Sequence, residues 1–180
     1  MQIISDYIDF FEKEINRLNF PTIPANLYDP LKYFLDLDAK RIRPVLTLLS
    51  AELFGSQKEN ALPASIAVEL FHNFTLLHDD IMDNSLLRRG KKTIHNLWDT
   101  NIAILSGDVL LVNAYSQLSK QSDKHLPDLL KLFNDTAIKL CEGQQMDMDF
   151  EKEANIETDA YLNMIRMKTS VLIGCALQFG

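Results

Sequence analysis

From His78 to Lys92 the chain reads His-Asp-Asp-Ile-Met-Asp-Asn-Ser-Leu-Leu-Arg-Arg-Gly-Lys-Lys, with carboxylates first and cations close behind. Asp79 and Asp83 are four residues apart, so on a helix they stack on one face, one turn from each other. Asp80 lies about 100° further round, placed to support that pair. Stacked carboxylates suit Mg²⁺, which keeps several waters and takes further ligands from a phosphorylated substrate. Arg88 and Arg89, followed by Gly90, Lys91 and Lys92, are the matching cations for diphosphate oxygens. Together they point to diphosphate chemistry. The plainer alternative is a solvated acidic helix end followed by a basic loop.

Helices must position these groups, because the apolar pattern is helical almost throughout. Ile4, Ile8, Phe11, Ile15 and Leu18 recur at spacings of three and four, which predicts an amphipathic first helix. Pro21, Pro24 and Pro30 punctuate the loop and the start of the next helix. A helix is expected from Pro44 to a stop at Gly55. Residues 59 to about 84 read as one long helix, apolar on several faces through Ile66, Val68, Leu70, Phe71, Phe74 and Leu77. Such a helix belongs at the centre of a bundle. After the basic loop at Leu86 to Thr93, helices are expected from about Thr100 to Ser119, Pro127 to Phe150, and Thr158 to the end. No strand alternation, repeat or low-complexity segment is evident. The fold class is therefore all-α, a bundle with long central helices.

The 180 residues suffice for one domain with a substantial core. A net charge of −7 argues against nucleic acid as a partner, which would need a broad basic surface. Lys40, Arg41, Arg43, Arg88, Arg89, Lys91 and Lys92 are instead concentrated in two short segments, as a compact anionic ligand requires. Two cysteines are too few for a disulfide framework, so a reducing, cytoplasmic setting is expected. No apolar run is long enough for a transmembrane segment. Asp6, Asp9 and Glu12 stand where a secretory leader would carry basic and then apolar residues. In the acidic run from Asp147 to Glu157, Asp147 is distinctive because it shares a helix face with Gln144.

Taken in order, the motifs resemble those of the trans-isoprenyl diphosphate synthases, the polyprenyl synthetase family. Lys40-Arg41-Ile42-Arg43-Pro44 is similar to its early basic motif, and Asp79-Asp80-Ile81-Met82-Asp83 to its first aspartate-rich motif. Leu87-Arg88-Arg89-Gly90-Lys91, Ser106-Gly107-Asp108, Gly143-Gln144-Gln145-Met146-Asp147 and Lys168-Thr169 continue the series. Two departures stand out. Ala39 occupies a position where the family usually has glycine, and no Asp-Asp pair follows Asp80, although the family carries a second aspartate-rich motif on a later helix. The expectation is therefore that residues 1–180 are the N-terminal part of a single domain, a truncated isoprenoid synthase-type bundle around a central apolar cavity.

The resemblance implies a Mg²⁺-dependent transferase that condenses an allylic prenyl diphosphate with isopentenyl diphosphate, working as a homodimer or a heteromer. Asp79, Asp83 and Asp80 would hold the metal, and Asp147 would reach its water shell. Arg88 and Lys168 would grip the allylic diphosphate, with Gln144 and Thr169 close to the allylic group. Lys40, Arg43, His72 and Arg89 would form the metal-free isopentenyl diphosphate site. Phe74, five residues before Asp79, would limit product length to about farnesyl to geranylgeranyl size. No role is expected for His78. The rivals are a non-catalytic partner subunit of a heteromeric synthase and a class I terpene cyclase. A di-iron protein is a remote third, since Glu69-x-x-His72 is a single such motif where two are needed.

Overall fold

The computed structural model describes residues 2–180. Helix α1 (Gln2–Ile15) precedes α2 (Ala25–Leu35), α3 (Ile42–Leu53) and the long α4 (Lys58–Met82). A two-stranded hairpin, β1 (Leu87–Arg88) and β2 (Lys91–Lys92), leads to the single turn α5 (Ile94–Leu97). Then come α6 (Thr100–Leu118), α7 (Leu126–Phe150) and α8 (Thr158–Ile165), followed by a π turn (Arg166–Ser170) and α9 (Val171–Phe179). The all-α expectation is borne out. Among the described residues no helix is long and apolar enough to cross a membrane.

Helix α4 is the axis, flanked by α3, α6 and α9. Its Ala64, Ala67, Val68, Leu70, Phe71 and Leu77 are buried, as a helix apolar on several faces demands. Along α6 the buried residues are mostly small, Ala103, Ser106, Gly107 and Ala114, which lets this helix lie close to α4. Phe133 of α7 ties the bundle together, touching Phe71 of α4 at 4.9 Å, Tyr115 of α6 at 5.0 Å and Phe179 of α9 at 6.3 Å between ring centroids. Burying such a ring contributes about 2–3 kcal/mol.

The boundaries have local causes. Asp99 caps α6, its carboxylate accepting from the Ile102 amide at 2.8 Å. Helix α4 stops where Asn84 turns left-handed at φ 48°, with the Ser85 amide donating back to the Asp80 carbonyl at 2.9 Å.

Four details differ from the sequence reading. The basic loop is a hairpin, because Arg89 (φ 53°) and Gly90 (φ 77°) form a two-residue turn that pairs Arg88 with Lys91. Pro30 lies inside α2 rather than before it. Leu18 falls beyond α1, which ends at Ile15. The last helix is interrupted by the π turn, a feature with no apolar signature.

Candidate active site

The end of α4 places Phe74, His78 and Asp79 against a cavity of about 310 Å³, closed on the other side by Gln144 of α7 and by Lys168 and Thr169 of the π turn. Most of its wall is apolar, with Leu76, Leu140, Met148 and Leu172 among the lining residues. A second cavity of about 300 Å³ is lined by Lys40, Arg41, Arg43, Glu69, His72 and Arg89. Arg43 and His72 border both cavities. Of the expected site residues, Phe74, Asp79, Gln144, Lys168 and Thr169 line the first compartment, Lys40 and Arg89 the second, cationic one, and Arg43 and His72 both, while Asp80, Asp83 and Arg88 line neither.

In the first compartment Lys168 Nζ donates to Asp147 Oδ2 at 2.5 Å and lies 3.5 Å from Asp79 Oδ1. Burial works against the lysine's charge, but the Asp147 hydrogen bond and the charge of Asp79 outweigh it and raise its pKa. Asp83 sits at the exposed end of α4, and its pKa is raised by partial desolvation and by the neighbouring Asp79 charge. Asp79 Oδ1 is buried without a hydrogen-bond partner, as is Gln144 Nε2. Buried polar atoms are rarely left unpaired, so these two are available to a ligand.

Among the described residues no three His, Cys, Asp or Glu side chains cluster tightly enough to hold a metal by themselves. Mg²⁺ needs only one or two carboxylates when water and substrate phosphate complete its octahedron. Asp79, whose Oδ1 has no hydrogen-bond partner, fits that requirement.

Asp80 takes a different place from the one expected. Its carboxylate, 2% exposed, is occupied by Arg88, which donates from Nε at 3.0 Å and from Nη2 at 2.6 Å. Desolvation raises the Asp80 pKa, with the Arg88 hydrogen bond working against it. The offset of about 100° that separates Asp80 from Asp79 turns it towards the hairpin. Asp80 therefore braces Arg88, which in turn lies 3.7 Å from Asp79.

Arg41 is likewise withdrawn. It is 4% exposed and donates to Glu12 at 2.6 Å, to Glu69 at 2.7 Å and to the Leu35 carbonyl at 3.2 Å. Glu69 is thereby engaged, which removes the Glu-x-x-His reading.

In the cationic compartment Arg43 Nη1 donates to His72 Nε2 at 3.1 Å, while the buried Arg43 Nε has no partner. Lys40 is exposed, and Arg89 donates to the Leu37 carbonyl at 3.2 Å. Burial, and then the charges of Arg43, Arg89, Arg88 and Arg41, push His72 down to about 3. His72 therefore stays neutral in the fold where the unfolded chain would protonate it. Stability should fall as pH drops from about 6.5 towards 3, by up to about 1.4 kcal/mol per pH unit from this group. Urea unfolding across that window checks this, and His72→Gln should flatten the slope. An unchanged slope would mean that His72 titrates normally.

Gly143 makes the π turn possible. A Cβ there would lie 2.7 Å from the Met167 carbonyl carbon, and closer still to the Lys168 amide nitrogen. These are backbone atoms that cannot swing aside. Gly143→Ala should lose about 1–2 kcal/mol of stability, overpacking outweighing the better helix propensity of alanine. A stability gain on denaturant unfolding would show that the seam opens freely.

Sequence reasoning missed His78, whose ring lines the first cavity and packs against Phe74 at 4.6 Å. Its placement depends on Gly107, a partner 29 residues away that local spacing does not reveal.

A family model described as polyprenyl synthetase matches residues 24–180, leaving α1 outside the match. A geranylgeranyl pyrophosphate synthase of Geoglobus acetivorans is 43% identical over 176 residues, covering 96% of this chain and 55% of the relative. A crystal structure of a geranylgeranyl pyrophosphate synthase superposes with a TM-score of 0.95 at 50% identity, covering 98% of this chain and 54% of that one. A polyprenyl synthase from Caulobacter crescentus CB15, complexed with calcium and isoprenyl diphosphate, is 27% identical with a TM-score of 0.87, covering 99% and 53%. The chain spans about half the length of the curated relatives it matches. With the basic, aspartate-rich and Lys-Thr motifs converging on two adjoining cavities, this chain belongs to the polyprenyl synthetase family.

Proposed function

We propose that the protein elongates prenyl chains, joining an allylic diphosphate in the first cavity to isopentenyl diphosphate in the second. The observation that carries this is the pairing of compartments across Arg43 and His72. A cyclase acting on one diphosphate has no use for the cationic compartment. Residues 1–180 would form part of a single domain, and turnover is assigned to the whole protein.

In the reaction the allylic C–O bond breaks, its electron pair leaves with the diphosphate, and the double bond of isopentenyl diphosphate attacks the resulting cation with loss of a proton. Lys168 and Arg88 would grip the departing diphosphate, held ready by Asp147 and Asp80. Lys40, Arg43 and Arg89 would hold the second diphosphate, with neutral His72 as a hydrogen-bonding neighbour. Apolar walls around Leu140, Met148 and Leu172 exclude water from the cation. Bound at Asp79 and Asp83, Mg²⁺ would supply Lewis-acid neutralisation of the leaving group. The calcium and isoprenyl diphosphate held by the Caulobacter relative support a divalent ion in this role.

The test is consumption of isopentenyl diphosphate by the whole protein with Mg²⁺ and an allylic primer. A product made from the allylic diphosphate alone would indicate a cyclase. Binding without turnover would indicate a non-catalytic partner. Phe74, on the cavity wall, is assigned the length limit. Phe74→Ala should lengthen the product by at least one isoprene unit, and an unchanged product would place the floor elsewhere. A homodimer through the face of α6 that exposes Leu105 and Val112 is part of this proposal, and light scattering of the whole protein should read a doubled mass.

A further inference from the structure

We propose that His78, seated against Gly107, is a specificity-determining residue that sets the width of the prenyl-chain cavity between Asp79 and Phe74. This rests on the reading of that cavity as the allylic site. Phe74, His78 and Met82 are spaced four apart on α4 and all line the cavity together with Asp79. The His78 ring is held on three sides. Phe74 meets it edge-to-face at 4.6 Å. Its Nε2 donates to the Ile104 carbonyl of α6 at 3.2 Å. Gly107 lies directly behind it, where a Cβ would stand 2.6 Å from the ring's Cδ2 and closer still to Nε2. The ring therefore lies in a recess that exists only because residue 107 has no side chain. With Phe74 on one flank and α6 behind, a ring displaced from that recess moves into the cavity.

Gly107 thus determines how far the wall is drawn back below Asp79, just above the floor assigned to Phe74. A chain threading past Asp79 must clear His78 before it reaches Phe74. In an apolar pocket, steric exclusion of this size separates related ligands by about tenfold to a hundredfold.

The experiment measures affinities for dimethylallyl, geranyl, farnesyl and geranylgeranyl diphosphate by titration calorimetry with Mg²⁺, using the whole protein and three variants. Gly107→Ala should weaken farnesyl diphosphate binding by about tenfold while leaving dimethylallyl diphosphate unchanged. Adding His78→Ala to that variant should restore the loss, because the displaced ring is gone. His78→Ala alone, which keeps the natural seam, should strengthen geranylgeranyl relative to geranyl diphosphate, and it stands as a test even if Gly107→Ala fails to fold. The proposal is overturned if Gly107→Ala weakens all four ligands equally, if His78→Ala brings no restoration, or if His78→Ala alone leaves the length preference unmoved. If the unmodified whole protein binds none of the four, the assignment of the cavity falls, and this inference with it. Binding without the variant pattern removes this inference alone.

Discussion

Asp79→Asn is expected to slow the proposed condensation by the whole protein on the order of 10³-fold, the scale seen when one preorganised charge contact to a developing anion is removed. Three features of the site converge on this residue. Its Oδ1 is buried and accepts no hydrogen bond, Lys168 Nζ lies 3.5 Å from it as an ion pair, and Arg88 reaches within 3.7 Å of the carboxylate. Asparagine keeps the shape and loses the charge, so it would remove the proposed metal ligand without leaving a hole. Mg²⁺-dependent binding of an allylic diphosphate should weaken in parallel, while binding of isopentenyl diphosphate in the cationic compartment should persist. A rate within tenfold of the unmodified enzyme would show that the leaving group is neutralised elsewhere.

The second large effect is on stability. Arg41→Met strands Glu69, a carboxylate 2% exposed that retains only a 3.3 Å contact from Asn73 as its side-chain hydrogen bond. Breaking a buried ion pair from one side costs about 3–5 kcal/mol. Urea unfolding should show that loss for Arg41→Met. Glu12→Gln, altering a carboxylate 34% exposed, should cost less than about 1 kcal/mol. Arg41→Met together with Glu69→Leu should recover much of the deficit, because two matched apolar groups leave no buried charge. If the single variant is as stable as the unmodified chain, water reaches Glu69 and the pair is not structural.

That Arg41 is structural shows where a sequence can be read and where it cannot. Helices α3, α4, α6 and α7 were legible to within a residue or two, because apolar periodicity and capping act over one or two turns. The motif residues were legible as chemistry for the same local reason: Asp79 and Asp83 share a face through their spacing alone. Arg41 and Asp80 looked like further members of those motifs. Each is neutralised by a partner brought in by the fold, Arg41 by Glu12 and Glu69 from two other helices, Asp80 by Arg88 from the hairpin. The hairpin itself has two residues per strand, too few for alternation to show. The π turn is one step of altered winding within an unbroken apolar pattern, and only the approach of Gly143 makes it visible.

The wall that Arg43 and His72 present to both compartments has a thermodynamic consequence. A guanidinium has a fixed fork of donors, so contacts given to one diphosphate alter those available to the other. On the proposed assignment, the two binding equilibria would be coupled through this wall. Whatever factor isopentenyl diphosphate imposes on affinity for the allylic partner, the allylic partner must impose on isopentenyl diphosphate in equal measure. So assigned, the cleft would be a single binding unit with two mouths, and a dissociation constant measured at either one would have meaning only when the occupancy of the other is stated.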